Sequence, residues 1–142
     1  MEVVYMLDNR NPCQDRGPAP LVVNMQRAVE GNSNFRTTLW TGKRLQLTLM
    51  CIPVGCDIGV ELHKETDQFL RIESGCALVL MGCSERGLKE QYRVDCHCGI
   101  LIPAGTWHNI VNVGEVPLKL YSLYAPPEHP QGTVHKTKKD AL

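Results

Sequence analysis

The chain of 142 residues has no surplus charge of either sign, with 15 Lys and Arg against 15 Asp and Glu. Phosphate recognition needs a basic surplus, so this balance argues against nucleic acid as a main partner. It removes the simple attraction to an anionic membrane surface as well. No apolar run approaches the 18 or more residues that would span a bilayer. Residues 1–10 carry Glu2 where an export signal needs basic residues, and Asp8 cuts the apolar stretch short. The expectation is a cytoplasmic protein whose seven cysteines, an odd number, are reduced thiols rather than a disulfide framework. There is no low-complexity tract and no clear repeat. After residue 35 no stretch shows a helical period of ten residues or more.

The chain does have many short apolar segments. Residues 35–40, 45–52, 59–63, 67–74, 76–82, 91–94, 99–103, 108–113 and 118–124 each read as a strand. They are β-branched or aromatic and are bounded by Gly, Pro, Asn or Ser. Short strands at close spacing predict an all-β sandwich or barrel over residues 35–125. Residues 1–34 read as an arm, Pro-rich over 9–20, with a short strand at 21–25. One or two helical turns follow over 25–30, capped by Asn24 and stopped by Gly31. Residues 126–142 read as a tail, in which the Lys136, Lys138, Lys139 run is a solvated face.

Three groups of residues carry candidate chemistry. In a strand over 59–63, Glu61 and His63 share a face. If residues 64–67 form a hairpin loop, Gln68 pairs across from His63, with Cβ atoms about 4.5–5.5 Å apart. His108 follows the turn at 103–107. Two imidazoles, a carboxylate and an amide oxygen suit a divalent first-row metal. A lone strand histidine is more often a packing residue, and pattern alone leaves that reading open. Glu65 and Asp67 are alternative carboxylates, but solvated loop charge is the plainer reading, because Asp67 alternates away from Gln68. Arg71 points the same way as Asp67 and suits an outer-face ion pair. Trp107, Tyr121 and Tyr124 read as core. Cys96-His97-Cys98 lacks the second pair a structural zinc would need and reads as a turn. Cys51 and Cys76 read as small core residues.

The spacing then matters as a whole. Gly55, Glu61, His63, Gln68 and Gly75 fall at the positions of G-x5-H-x-H-x4-E-x6-G. His97, Pro103, Gly105, His108 and Asn112 fall at those of G-x5-P-x-G-x2-H-x3-N. This pair of patterns resembles the two cupin motifs, and the compact single-domain form is similar to proteins labelled mannose-6-phosphate isomerase-like. The resemblance implies a jelly-roll barrel, also described as a double-stranded β-helix. It also implies a metal such as Zn, Mn, Fe or Ni held by His63, His108, Gln68 and Glu61. Glu61 stands where the family has His, and Gln68 where it has Glu, so the net charge of the ligand set is unchanged. Glu61, if free of the metal, would be a proton carrier and the catalytic residue. His97 replaces the opening glycine of the second motif, at little cost if the turn there avoids positive φ.

The implied functions are an isomerase-like or lyase-like enzyme on a small sugar-like or carboxylate metabolite, a non-haem iron oxygenase, or a non-catalytic binding or sensing module. The fold alone does not choose among them. A small-molecule ligand and a homodimer are the expected partners. The dimer would form by strand addition through Leu21, Val22 and Val23, favoured by the uncharged faces of the 45–50 segment.

Overall fold

The computed structural model describes residues 14–142. The reading of residues 1–10, part of the Pro-rich arm and Cys13 lie outside them. Strands run as β1 (Arg36–Thr41), β2 (Gln46–Ile52), β3 (Asp67–Ser74), β4 (Ala77–Gly82), β5 (Glu90–Val94), β6 (Gly99–Ile102), β7 (Trp107–Asn112), β8 (Leu118–Ala125) and β9 (Val134–His135). One antiparallel sheet has the order β6-β3-β8-β2-β1-β9, and the other β5-β4-β7. This is the expected two-sheet all-β barrel.

Strand alternation decides what faces inward. On β2 the residues Gln46, Thr48, Met50 and Ile52 are all fully buried. The register β2-β8-β3 then lays the interior out in rows. Met50, Leu120 and Ile72 form an apolar row, and Gln46, Tyr124 and Gln68 form a polar one four residue pairs away. One end of the barrel is therefore a dry core, joined by Val79 and Ile110 from the smaller sheet. The other end buries polar groups, which a fold does only where something must be bound or hydrogen-bonded. Truncating Ile72 or Leu120 to Ala would cost about 2–5 kcal/mol.

The segment before the barrel is partly as read. Helix α1 (Met25–Gly31) is capped by Asn24, whose side chain accepts from Arg27 N at 3.0 Å. It buries Val29 and packs on β2, β3 and β8. The strand expected at 21–25 is absent. Residues 21–24 make no ladder, and Val22 is 84% exposed. Nor is the preceding stretch loose. Asp15 accepts from Thr41 N at 3.0 Å and Thr41 Oγ1 at 2.6 Å, and Trp40 Nε1 donates to Ala19 O at 2.7 Å.

The tail differs most from expectation. It adds β9 to β1 and ends in a 3-10 turn, Lys138–Ala141. Lys138 pairs with Asp57, so it does not belong to a merely solvated face.

His97 corrects another reading: it takes φ 72°, in the left-handed region. Its N–H donates to Ile72 O at 2.8 Å, and its Nδ1 lies 3.3 Å from Arg71 Nη2. Histidine tolerates this region better than most residues, but a cost remains.

Candidate metal centre

The site is built on one backbone bridge. Glu61 N donates to His108 O at 2.9 Å, and His108 N donates to Glu61 O at 3.0 Å. An exchanged pair of this kind puts both side chains on the same face. The expected strand at 59–63 shrinks to this single bridge. His63 is fixed instead by the 103–107 turn, where Gly105 N donates to His63 O at 2.8 Å. Gly105 has φ 82°, which explains a glycine at that turn position. The same turn sets the second imidazole, because His108 Nδ1 lies 2.9 Å from Thr106 O.

These constraints bring three of the expected residues together. The ligand atoms of Glu61, His63 and His108 all lie within 4.8 Å of one another. His63 Nε2 is 3.6 Å from Glu61 Oε2, and His108 Nε2 is 3.8 Å from Glu61 Oε1. Donors bound at about 2.0–2.2 Å to one ion sit about 3–3.5 Å apart, so a small closure fits the set. His63 is 7% exposed and His108 1%. Burial holds the His108 pKa below its ordinary value, against smaller opposing effects of Thr106 and Glu61. A neutral imidazole is the form that ligates. Its Nδ1 faces a carbonyl, which needs a proton there, so the Nε2 lone pair points at Glu61. Both Nε2 atoms and Glu61 Oε1 are buried without a hydrogen-bond partner. Buried polar atoms left in this way call for an ion or a ligand.

Gln68 reaches its place by another route than the one expected. It does not pair across from His63. It lies opposite Tyr124 on β8 and Ile102 on β6. Tyr124 in turn packs edge-on to His63, with ring centroids 5.6 Å apart. Gln68 is 3% exposed, its Nε2 donates to Ser122 Oγ at 3.3 Å, and its Oε1 has no partner.

Four nearby residues were not singled out from the sequence as site residues. Tyr124 is fully buried beside His63, and burial raises its hydroxyl pKa, so it stays neutral. Glu128 places Oε1 3.0 Å from His63 Nδ1, an ion-pair distance without the alignment of a hydrogen bond. His129 packs on Tyr124 with ring centroids 5.2 Å apart. Gln46 holds the backbone of both tail residues. The interior face of β2 is legible for Gln46, since a polar residue at a core position is a signal in itself. Nothing local marks Glu128.

The remaining candidates keep bland roles. Asp67 accepts from Ala104 N at 2.9 Å and Glu65 is exposed. Arg71 Nε lies 3.4 Å from Glu73 Oε1. Asn112 is structural: its amide donates to Ile52 O and Val116 O and accepts from Gly114 N. The six described cysteines are free, and Cys51 and Cys76 are half-buried rather than core. A cavity of about 210 Å³ opens where β5 and β6 face each other, lined by Val79, Met81, Tyr92, Val94 and Ile100 among others. Met81 pairs in register with His108, but none of Glu61, His63, Gln68 or His108 lines the cavity.

Comparison with known proteins bears on the family and the fold. The chain is 57% identical over 129 residues to the uncharacterized protein YrkC of Bacillus subtilis, covering 91% of this chain and 69% of that one. The chain belongs to the YrkC family. Its match to the uncharacterized protein L612 of Acanthamoeba polyphaga mimivirus is 38% over 114 residues, covering 80% and 69%. The crystal structure of BH2720 from Bacillus halodurans superposes with a TM-score of 0.89 at 56% identity, covering 90% of this chain and 97% of that one. The cupin domain of Schizosaccharomyces pombe Cnp3 superposes with a TM-score of 0.57 at 18% identity, covering 65% and 64%. KdgF from Halomonas gives 0.58 at 18%, covering 66% and 80%. These two show the fold, which is that of a cupin. No family model matches the chain.

Proposed function

We propose that this YrkC-family cupin binds a divalent first-row metal through His63, His108 and Glu61, with Gln68 beside them, and uses the site on a small sugar-like or carboxylate metabolite. One observation carries the reading. Two imidazole Nε2 atoms and a carboxylate oxygen converge in a buried position with no other partner. Zn, Mn, Fe and Ni all accept imidazole with carboxylate. When bound, the metal would polarise an oxygen of the ligand.

The chain's own residues do the rest. His108 is held from behind at Thr106 O, and His63 is anchored through its backbone carbonyl by Gly105 N. Glu61 is 25% exposed, so it meets both the imidazoles and an incoming molecule. Where it does not ligate the metal, Glu61 would hold or move a proton on that molecule. The isomerase-like reading belongs here, as one reaction type this proton transfer would serve.

A non-haem iron oxygenase is the second reading, because two His and one carboxylate match its facial triad. Metal analysis of the purified protein, followed by a screen of sugar phosphates, uronates and small dicarboxylates, separates the two. Zinc, manganese or nickel with turnover in the absence of oxygen supports the first reading. Iron with oxygen consumption supports the second. Stoichiometric metal without turnover of any compound supports a binding module.

A further inference from the structure

The chain after β8 crosses the polar end of the barrel. It leaves β8 at Ala125 and rejoins the sheet as β9 beyond β1. The sheet order β8-β2-β1-β9 means that it passes over β2 on the way. Gln46 of β2 holds it there with a fully used carboxamide. Oε1 accepts from Glu128 N at 3.2 Å and from His129 N at 2.9 Å. Nε2 donates to His129 O at 2.7 Å and to Thr41 Oγ1 at 3.0 Å. Farther along, Gly132 N donates to Asp15 Oδ2 at 3.2 Å. A strap tied from a fully buried side chain is a fixed part of the site.

The strap presents one charged group to the candidate metal centre. Glu128 Oε1 lies 3.0 Å from His63 Nδ1, on the opposite side of the ring from Glu61. His108 has a carbonyl in the equivalent place, at Thr106 O. His108 thus has an oxygen aligned behind Nδ1, while the Glu128 carboxylate stands at ion-pair distance from His63 Nδ1 and needs a turn of its side chain to accept the proton there; both Nε2 atoms are without a partner in front. An acceptor behind Nδ1 selects the tautomer whose Nε2 can ligate, and raises its basicity.

We propose that Glu128 is a positioning residue for His63: the strap carries its carboxylate to Nδ1 so that His63 keeps its proton there and offers Nε2 to the metal. This rests on the metal-binding reading above, but it predicts a property of the metal-free protein too. The carboxylate is 32% exposed at the barrel end, so its removal need not disturb the fold.

Two measurements on the full chain test the role. Nitrogen-15 NMR of the imidazoles, without metal, should find the His63 proton on Nδ1 in the parent. In Glu128→Ala this preference should be lost, and in Glu128→Gln, which still offers an amide oxygen, it should be largely kept. Zinc titration against a chromophoric chelator should show affinity about 10–100-fold weaker in Glu128→Ala, the usual effect of removing such a partner. Gln46→Ala, which frees the strap, should shift affinity the same way. A parent His63 protonated on Nε2, or a Glu128→Ala variant with the parent's tautomer and zinc affinity, would overturn the role. Failure of the parent itself to bind zinc or any other first-row metal would count against the metal reading, while the tautomer result would still decide the part played by Glu128.

Discussion

Glu61 and His108 exchange both backbone hydrogen bonds, at 2.9 and 3.0 Å, and this one bridge fixes a carboxylate and an imidazole on the same face. The bridge fixes the backbone that carries the acid, while its side chain is 25% exposed against 1% for that of His108. His63 then comes to them through the turn that precedes His108, by way of Gly105.

Gln46→Ala should lower stability by about 1–2 kcal/mol, because the backbone groups it held lose their partner and only part of that loss is recovered from water. Urea unfolding of the full chain measures this. An unchanged midpoint would mean the strap is held by its other contacts alone.

His97→Gly should raise stability by about 0.5–1 kcal/mol. The left-handed backbone costs an L-residue about 1–2 kcal/mol, and glycine's greater unfolded entropy returns part of that gain. Equilibrium unfolding with metal absent checks it. A loss of stability would show that the contact with Arg71 outweighs the strain.

Burial, with Arg36, His63 and His135 adding positive charge nearby, pulls the His129 pKa from 6.5 down to about 3. The unfolded chain therefore binds a proton that the folded chain refuses as pH falls below 6.5. Stability should drop over this range, down to about pH 3. His108 and His135, also lowered by burial, act in the same direction. His129→Phe keeps a ring against Tyr124 and Glu128 on the strap. It should lose less stability than the parent between pH 7 and pH 5. Parallel curves would contradict the assignment.

The sequence made the barrel legible because strand alternation and turn residues are local signals. The span 67–74 matches β3 residue for residue. The two histidines and Glu61 were legible through motif spacing. The route by which Gln68 arrives was not. Its neighbours Tyr124 and Ile102 lie far away in the chain, and no local pattern encodes a sheet order. Glu128 was hidden for the same reason. Its role depends on Gln46, 82 residues away, and a Pro-rich tail looks the same whether it is tied down or free. Residues 21–23 show the converse, since the apolar residues there pair with no strand.

We propose that the expected homodimer uses a different surface from that segment. Leu47, Leu123, Phe69 and Leu101 share one register row across β2, β8, β3 and β6 on the outer face. Leu101 is 75% exposed on the edge strand, among the described residues. Such a row beside an open edge suits a second copy across a two-fold axis. Light scattering of the full chain should give twice 15.9 kDa at micromolar concentration. Leu101→Arg should shift it toward the monomer. A parent that is monomeric would refute the dimer, and a Leu101→Arg variant that dimerises unchanged would move the interface elsewhere.

Elemental analysis of protein purified without an affinity tag or added metal tests the central claim most directly. The parent should carry close to one first-row transition metal ion per chain, and the His63→Ala, His108→Ala double variant close to none, with both folded by circular dichroism. Stoichiometric metal retained by the folded double variant, or a parent that is metal-free and takes up none of zinc, manganese, iron or nickel, would contradict the account.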